Sequence, residues 1–171
     1  MKKLFTLFFF AATLAGTTAF AQQDKSKRAS PPAKASEMLN NGAVVTIDYS
    51  QPSLKSRTIG KDIAPFGKIW RTGANEATVF EVSKDVTIEG KSLPAGKYSL
   101  YTIPGEKEWT IIFNKTWNQW GTVYKEELDQ LRIAVKPETT ESLKEQLTFT
   151  VAKNGEVSME WGKTEVEFEV K

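Results

Sequence analysis

From Met38 to Lys171 the apolar residues of this chain recur at every second position, a spacing that buries one face of a strand and suits no helix. Val45, Ile47 and Tyr49 alternate with Thr46 and Asp48, and Trp109, Ile111 and Phe113 alternate with Thr110, Ile112 and Asn114. The same spacing returns in Leu131, Ile133 and Val135, in Leu147, Phe149 and Val151, and in Val157, Met159 and Trp161. It ends with Val166, Phe168 and Val170 set against Glu165, Glu167 and Glu169, a solvated face. No ten-residue amphipathic helix interrupts these runs, and only residues 124–131 and 138–145 leave room for short helical turns. Counting runs predicts about eight to ten short strands, which pack most economically as an all-β antiparallel β-sandwich, with a closed antiparallel β-barrel as the alternative.

Turn chemistry supports antiparallel neighbours. Asn154-Gly155 between two alternating runs has the composition of a type I′ hairpin, whose two central residues both need positive φ. Trp161-Gly162-Lys163 reads as a second tight connection, so that the last three runs form a meander. Glu89-Gly90 and Pro94-Ala95-Gly96 punctuate the middle of the chain in the same way.

The N-terminus has a different character. Lys2 and Lys3, an apolar run from Leu4 to Leu14 and then Ala19-Phe20-Ala21 have the form of a secretory signal peptide, with cleavage expected after Ala21. The run is shorter than the ~20 residues that span a bilayer, so no membrane insertion is expected after cleavage. Residues 22–37, rich in Lys, Ser, Ala and Pro, read as a flexible leader, and residues 38–171 as a single β-sandwich domain. The address implied is periplasmic or secreted.

Composition then narrows the chemistry. Removing residues 1–21 takes two lysines and no acid, which leaves 21 basic against 21 acidic residues. A neutral chain with interleaved signs has no footprint for nucleic acid. Cysteine and histidine are both absent. That rules out disulfides and the lipidated cysteine of a lipoprotein, together with Ser-His-Asp triads, cysteine nucleophiles and His- or Cys-ligated metals and clusters. No cofactor and no metal is expected, and any catalysis would rest on oxygen or amine side chains.

Two polar clusters break the alternation. Trp70-Arg71-Thr72-Gly73-Ala74-Asn75-Glu76 gathers an aromatic, a guanidinium, an amide and a carboxylate. Arg71 and Asn75 there are donors for an anionic or hydroxylated ligand, with Glu76 an acceptor or a base; alternatively Arg71 and Glu76 pair with each other and brace the loop. Asn114-Lys115-Thr116-Trp117-Asn118-Gln119-Trp120-Gly121 sets two indoles beside three amides, which suits a glycan- or peptide-contacting surface or a lid over the open end of the sandwich. The candidate ligand residues are therefore Arg71, Asn75, Glu76, Trp117 and Trp120. A third polar stretch, residues 49–57, carries Arg57 but lacks the Ser-x-x-Lys spacing of a Ser–Lys nucleophile.

Tyr49-Ser50-Gln51-Pro52-Ser53, the stretch from Trp70 through Thr78, Leu93-Pro94-Ala95-Gly96-Lys97-Tyr98-Ser99-Leu100 and Trp109-Thr110-Ile111-Ile112-Phe113-Asn114-Lys115, ending at Trp120-Gly121, resemble the bacterial family called domain of unknown function 2911. The resemblance spans about residues 38 to 171 and implies an exported, mainly β protein with no catalytic residue to carry over. Two functions are then open. A binding module would capture a polar small molecule, glycan or peptide. A carboxylate-dependent hydrolase would use Glu76 with a second carboxylate, Asp48, Asp62, Glu81 or Asp85, roughly 5 to 9.5 Å away. A structural partner in envelope assembly is a third reading, and catalytic residues and oligomeric state stay open.

Overall fold

A computed structural model describes residues 24–171, so the expected signal peptide and its cleavage site lie outside the described residues. The fold is a β-sandwich. Its main layer is a six-stranded antiparallel sheet in the order β1-β2-β5-β8-β9-β10, formed by β1 (Pro32–Met38), β2 (Val44–Ser50), β5 (Thr78–Val82), β8 (Gly96–Ile103), β9 (Trp109–Asn114) and β10 (Asp129–Val135). The short strands β3 (Ile59–Gly60) and β4 (Ile63–Pro65) pair with each other beside it. Facing the main sheet are the long hairpin of β11 (Pro137–Val151) and β12 (Glu156–Glu169) and the small hairpin of β6 (Val86–Ile88) and β7 (Lys91–Leu93), linked by a bridge from Ile88 to Val170. None of these sheets closes into a barrel.

The alternation sets the register. Pairing Ile47 with Phe80, Phe80 with Tyr98, and Leu100 with Phe113 sends the inward residues of each strand into one core, where Val45, Ile47, Phe80 and Phe113 lose all solvent contact. Phe168 of β12 closes this core from the other layer, its ring 6.0 Å from Phe80 and 5.9 Å from Phe113. Near the other end Trp161 stacks on Trp70 at 5.5 Å with planes 10° apart. Burying rings of this size, together with the aliphatic side chains around them, stabilises a chain without disulfides.

Several local expectations are corrected. The leader expectation fails for residues 32–37, which form most of β1, an edge strand paired along its whole length with β2. Its inward positions are Ala33 and Ala35, too small to mark a buried face by hydropathy, and Pro32 is tolerated because it opens an edge strand. The described residues hold twelve strands rather than eight to ten, because several have only two or three residues. Residues 138–145 lie within β11, and the only short helical turn in the stretch 124–131 is the 3-10 segment Glu126–Leu128. Gly162 does not end a strand: with φ 64° it bends β12, whose two halves pair with the two halves of β11. At the Asn154-Gly155 turn only Gly155 has positive φ, 98°, and its N–H donates to Ala152 O at 2.9 Å, which is not type I′ geometry. The type I′ signature falls instead at Glu89-Gly90, with φ of 48° and 75°.

The main sheet also buries part of its outer face. Ser99, Tyr101, Ile112 and Asn114 point away from the core yet are inaccessible, and residues 115–128 bond to three of them. Ser99 Oγ donates to Thr116 O at 2.9 Å, Tyr101 Oη to Val123 O at 2.6 Å, and Asn114 Nδ2 to Lys125 O at 2.8 Å. This flap brings the second polar cluster against the first.

Candidate functional site

The loop that links β4 to β5 is held in a conformation its residues do not favour. Trp70 and Thr102 exchange backbone hydrogen bonds at 2.8 and 3.0 Å, which anchors the loop to β8. Thr72, fully buried, then takes φ 52°, and Asn75 takes φ 59°. A left-handed β-branched residue costs on the order of 1–2 kcal/mol and persists only where its surroundings enforce it. Here the Thr72 carbonyl accepts from Thr78 Oγ1 at 2.8 Å, and Asn75 Nδ2 donates to Ser30 O and Ser50 Oγ at 3.1 and 3.2 Å. Gly73 is present for close approach, since a Cβ there would lie 2.7 Å from Thr78 Oγ1.

The flap joins this loop through two backbone bonds, Ala77 N–H to Gln119 O and Gly121 N–H to Asn75 O, both 3.0 Å. Gly121 sits so close that a Cβ would meet Arg71 Cδ at 2.7 Å and Asn75 O at 2.9 Å. The Arg71 side chain is thus steered past Gly121 into a groove at this end of the sandwich. The groove encloses about 460 Å³, and its lining includes Arg57, Asp62, Trp70, Arg71, Tyr124 and Trp161.

The walls of the groove are stiff. Tyr124 Oη donates to Asp129 Oδ2 at 2.7 Å, Arg132 Nε donates to the same oxygen at 2.7 Å, and Asn114 Nδ2 takes the other carboxylate oxygen at 2.7 Å. Burial and the Asp129 carboxylate push the Tyr124 hydroxyl up to about 12, so it remains a neutral donor. Elsewhere in the lining, Arg57 follows Lys55 and Ser56, which take φ of 51° and 59°, and Ala64 takes 45°. Five of the six non-glycine residues with positive φ therefore lie in the segments that supply this groove's lining: Lys55, Ser56, Thr72 and Asn75 in loops and Ala64 in β4.

Arg71 and Glu76 do not pair, which overturns the expected brace. Arg71 makes one weak side-chain bond, Nε to Gly73 O at 3.3 Å, and meets no carboxylate among the described residues. Glu76 lies in a separate cavity of about 180 Å³, where Arg28 Nη1 reaches its two oxygens at 3.0 and 2.8 Å and Lys25 Nζ reaches Oε1 at 3.0 Å. Burial tends to raise the Glu76 carboxyl. Hydrogen bonds from its own backbone N–H, Arg28 and Lys25 outweigh that and lower it to about 2. A carboxylate so stabilised is a weak base at neutral pH, which counts against general acid or base catalysis by Glu76.

The other candidates are dispersed, except that Asp48 lines the Glu76 cavity. Trp120 pairs by a backbone bridge with Glu76 but exposes half of its surface, and Trp117 is exposed with Lys97 Nζ 5.1 Å from its ring centroid. Neither indole lines the groove, and the five nominated residues do not share one cavity. Of the further carboxylates, Asp48 pairs with Lys34 at 2.7 Å and Glu81 with Lys97 at 3.3 Å. Asp62 and Asp85 accept backbone N–H bonds from Thr58 and Ala95, both at 2.8 Å. Arg57, Tyr124 and Arg28 were not nominated from the sequence. Arg57 carried a weak signal as the one arginine in a hydroxyl-rich loop, whereas Arg28 stood in the stretch read as a leader and carried none.

Fold and site together define a β-sandwich protein with a loop-built polar groove at one end. Residues 30–170 match the family described as protein of unknown function (DUF2911), and the chain belongs to that family. No curated protein and no solved structure gives a significant match. Among the described residues no helix is long and apolar enough to cross a membrane.

Proposed function

We propose that this chain is an exported binding module whose groove holds a polar ligand such as a glycan or a peptide, with Arg71 as its anchor. The observation that carries this reading is the state of Arg71: half-buried, steered by Gly121 into the groove, and without a carboxylate partner among the described residues. Partly buried charges are ordinarily paired, and an arginine kept unpaired by a strained, over-determined loop is arranged for a group that arrives later. A volume of about 460 Å³ falls within the ordinary size of a ligand site. In this reading Asn75 shapes the loop rather than touching the ligand, Glu76 ties down the N-terminal segment, and Trp117 and Trp120 extend the surface beyond the rim. Export rests on the N-terminal pattern and predicts that secreted protein has lost residues 1–21, which intact mass would reveal.

The test is binding to arrays of glycans and peptides by the wild-type chain and by Arg71→Ala. Signal on some ligand class that falls with the variant is the expected outcome. Signal that is indifferent to Arg71, or confined to variants of Trp117 and Trp120, would place the ligand elsewhere and overturn the groove reading.

A further inference from the structure

The described residues contain four arginines, and they divide into two kinds. Arg28 holds Glu76, and Arg132 holds Asp129 at 2.7 Å and Glu126 at 3.0 Å. Arg57 and Arg71 hold no carboxylate among the described residues, and these two line the same groove. Both are positioned by main-chain acceptors. Arg57 Nε donates to Leu54 O at 3.0 Å and its Nη2 to Ser53 O at 2.7 Å, while Arg71 Nε donates to Gly73 O. Such bonds fix each guanidinium without neutralising it, and leave Nη1 of Arg57 and both Nη groups of Arg71 without a protein acceptor among the described residues.

We propose, building on the groove reading above, that the ligand is an acidic saccharide whose carboxylate docks between Arg57 and Arg71. Two guanidiniums outweigh the single carboxylate of the groove, Asp62, so its local charge is positive on a chain of nearly balanced charge. Planar forks with free N–H groups suit a carboxylate. The rest of the lining suits a sugar ring better than a peptide. Trp70, stacked on Trp161, presents indole surface for C–H groups, and Asp62 accepts from hydroxyls, while Tyr124, its proton committed to Asp129, contributes its ring to the wall. The loops are pre-strained on the side of each arginine, by Lys55 and Ser56 before Arg57 and by Thr72 after Arg71, so little ordering remains to be done on binding.

The experiment titrates the full secreted chain with oligogalacturonate and oligoglucuronate, with neutral galacto- and gluco-oligosaccharides of equal length, and with an oligoglutamate peptide. Calorimetry is read together with tryptophan fluorescence. Expected is binding of a uronate that weakens about tenfold for each of Arg57→Gln and Arg71→Gln and weakens with salt, with neutral sugars at least about tenfold poorer. Variants whose thermal midpoints match the wild type make that loss one of binding rather than folding. Arg71→Lys, which keeps the charge but not the fork, should recover only part of it. Equal binding of neutral sugars that still depends on Arg71 would overturn the carboxylate and leave the groove reading intact. Arginine-dependent binding of the peptide without the uronates would overturn the saccharide. Uronate binding indifferent to both arginines, or no uronate binding at all, would overturn the inference outright, while the fate of the groove reading follows separately from the neutral-sugar and peptide titrations.

Discussion

Arg71 and Glu76 stand five residues apart on one loop, yet the loop turns them into different cavities and opposite electrostatic states. Glu76 is closed off by three short contacts from Arg28 and Lys25, whereas Arg71 has a single 3.3 Å bond to a carbonyl. The difference separates structural from functional charge. A charge whose partners come from elsewhere in the chain ties two segments together, here the N-terminal stretch and the loop before β5. A charge held in position by backbone acceptors and left without a counter-ion keeps its binding capacity. Reading the loop as one polar cluster merges these two roles, and its five-residue spacing alone favours the wrong pairing.

The sharpest way to break the comparison is at the residue that serves both sides. Gly121→Ala places a methyl against Arg71 Cδ and the Asn75 carbonyl, and the second of these cannot swing aside. Overpacking of this kind costs about 1–3 kcal/mol, at about 2–4 °C of melting temperature per kcal/mol. We expect a lowered thermal midpoint together with loss of groove binding. An unchanged midpoint would mean that the flap is loose where Arg71 passes it, and Arg71 would then not be held ready.

Next in size is the coupling between Arg28 and Glu76. With Glu76 about 40% exposed, the pair should contribute about 0.5–1 kcal/mol rather than the several kcal/mol of a buried bridge. A cycle of Arg28→Ala and Glu76→Ala measured by urea midpoints should show that coupling, while a cycle of Arg71→Ala and Glu76→Ala should be additive within about 0.3–0.5 kcal/mol. Coupling in the second cycle and none in the first would reverse the assignment.

The framework was largely legible in the sequence and the site was not, for one physical reason. Side-chain period two reports which face of a strand is buried, and Val45, Ile47, Phe113 and Phe168 all fall where that period places them. It says nothing about which loops meet. The pairing of Glu76 with Arg28 joins residues 48 apart, and the pairing of the groove arginines depends on two loops brought together by the sandwich. Ile112 shows the same limit within a strand: it lies on the expected polar face of β9 yet is completely buried, which the alternation alone does not reveal. β1 is faint in the sequence because alanine marks a buried face weakly, and Gly162 is ambiguous because a bend within a strand and a turn between strands use the same residue.

Acid provides a smaller and more specific probe. The Glu76 carboxyl lies at about 2 in the folded chain against an ordinary 4.5, so its stabilisation is complete above about 4.5 and is lost as the pH falls towards 2. Its exposure limits this contribution to about 1 kcal/mol or less. Glu167 acts in the opposite sense, since burial and the neighbouring Glu156, Glu165 and Glu138 raise its carboxyl. The wild-type chain should therefore be compared with Glu76→Gln at matched pH. Their difference in urea midpoint should be largest near neutrality, shrink below about pH 4.5 and approach zero only at or below about pH 2, and a difference that grows on acidification would contradict the clamp.

The smallest effect expected is also the most diagnostic. Arg71→Ala removes a side chain whose one protein bond is long and whose charge meets no carboxylate, so the folded state loses little, and unfolding free energy should stay within about 0.5 kcal/mol of wild type. Some apolar contact of the Arg71 stem with Gly121 is lost. Relief of an uncompensated positive charge beside Arg57 offsets it. The sign is therefore open, while the magnitude is bounded by the absence of a buried partner left behind. Groups kept ready for a ligand characteristically cost rather than contribute stability, so a slight gain with loss of binding is the pattern that fits an anchor. Denaturant midpoints decide the first half and array binding the second. A loss above about 2 kcal/mol would show that Arg71 supports the loop after all. In that event the functional charge of this end of the sandwich would rest on Arg57 alone.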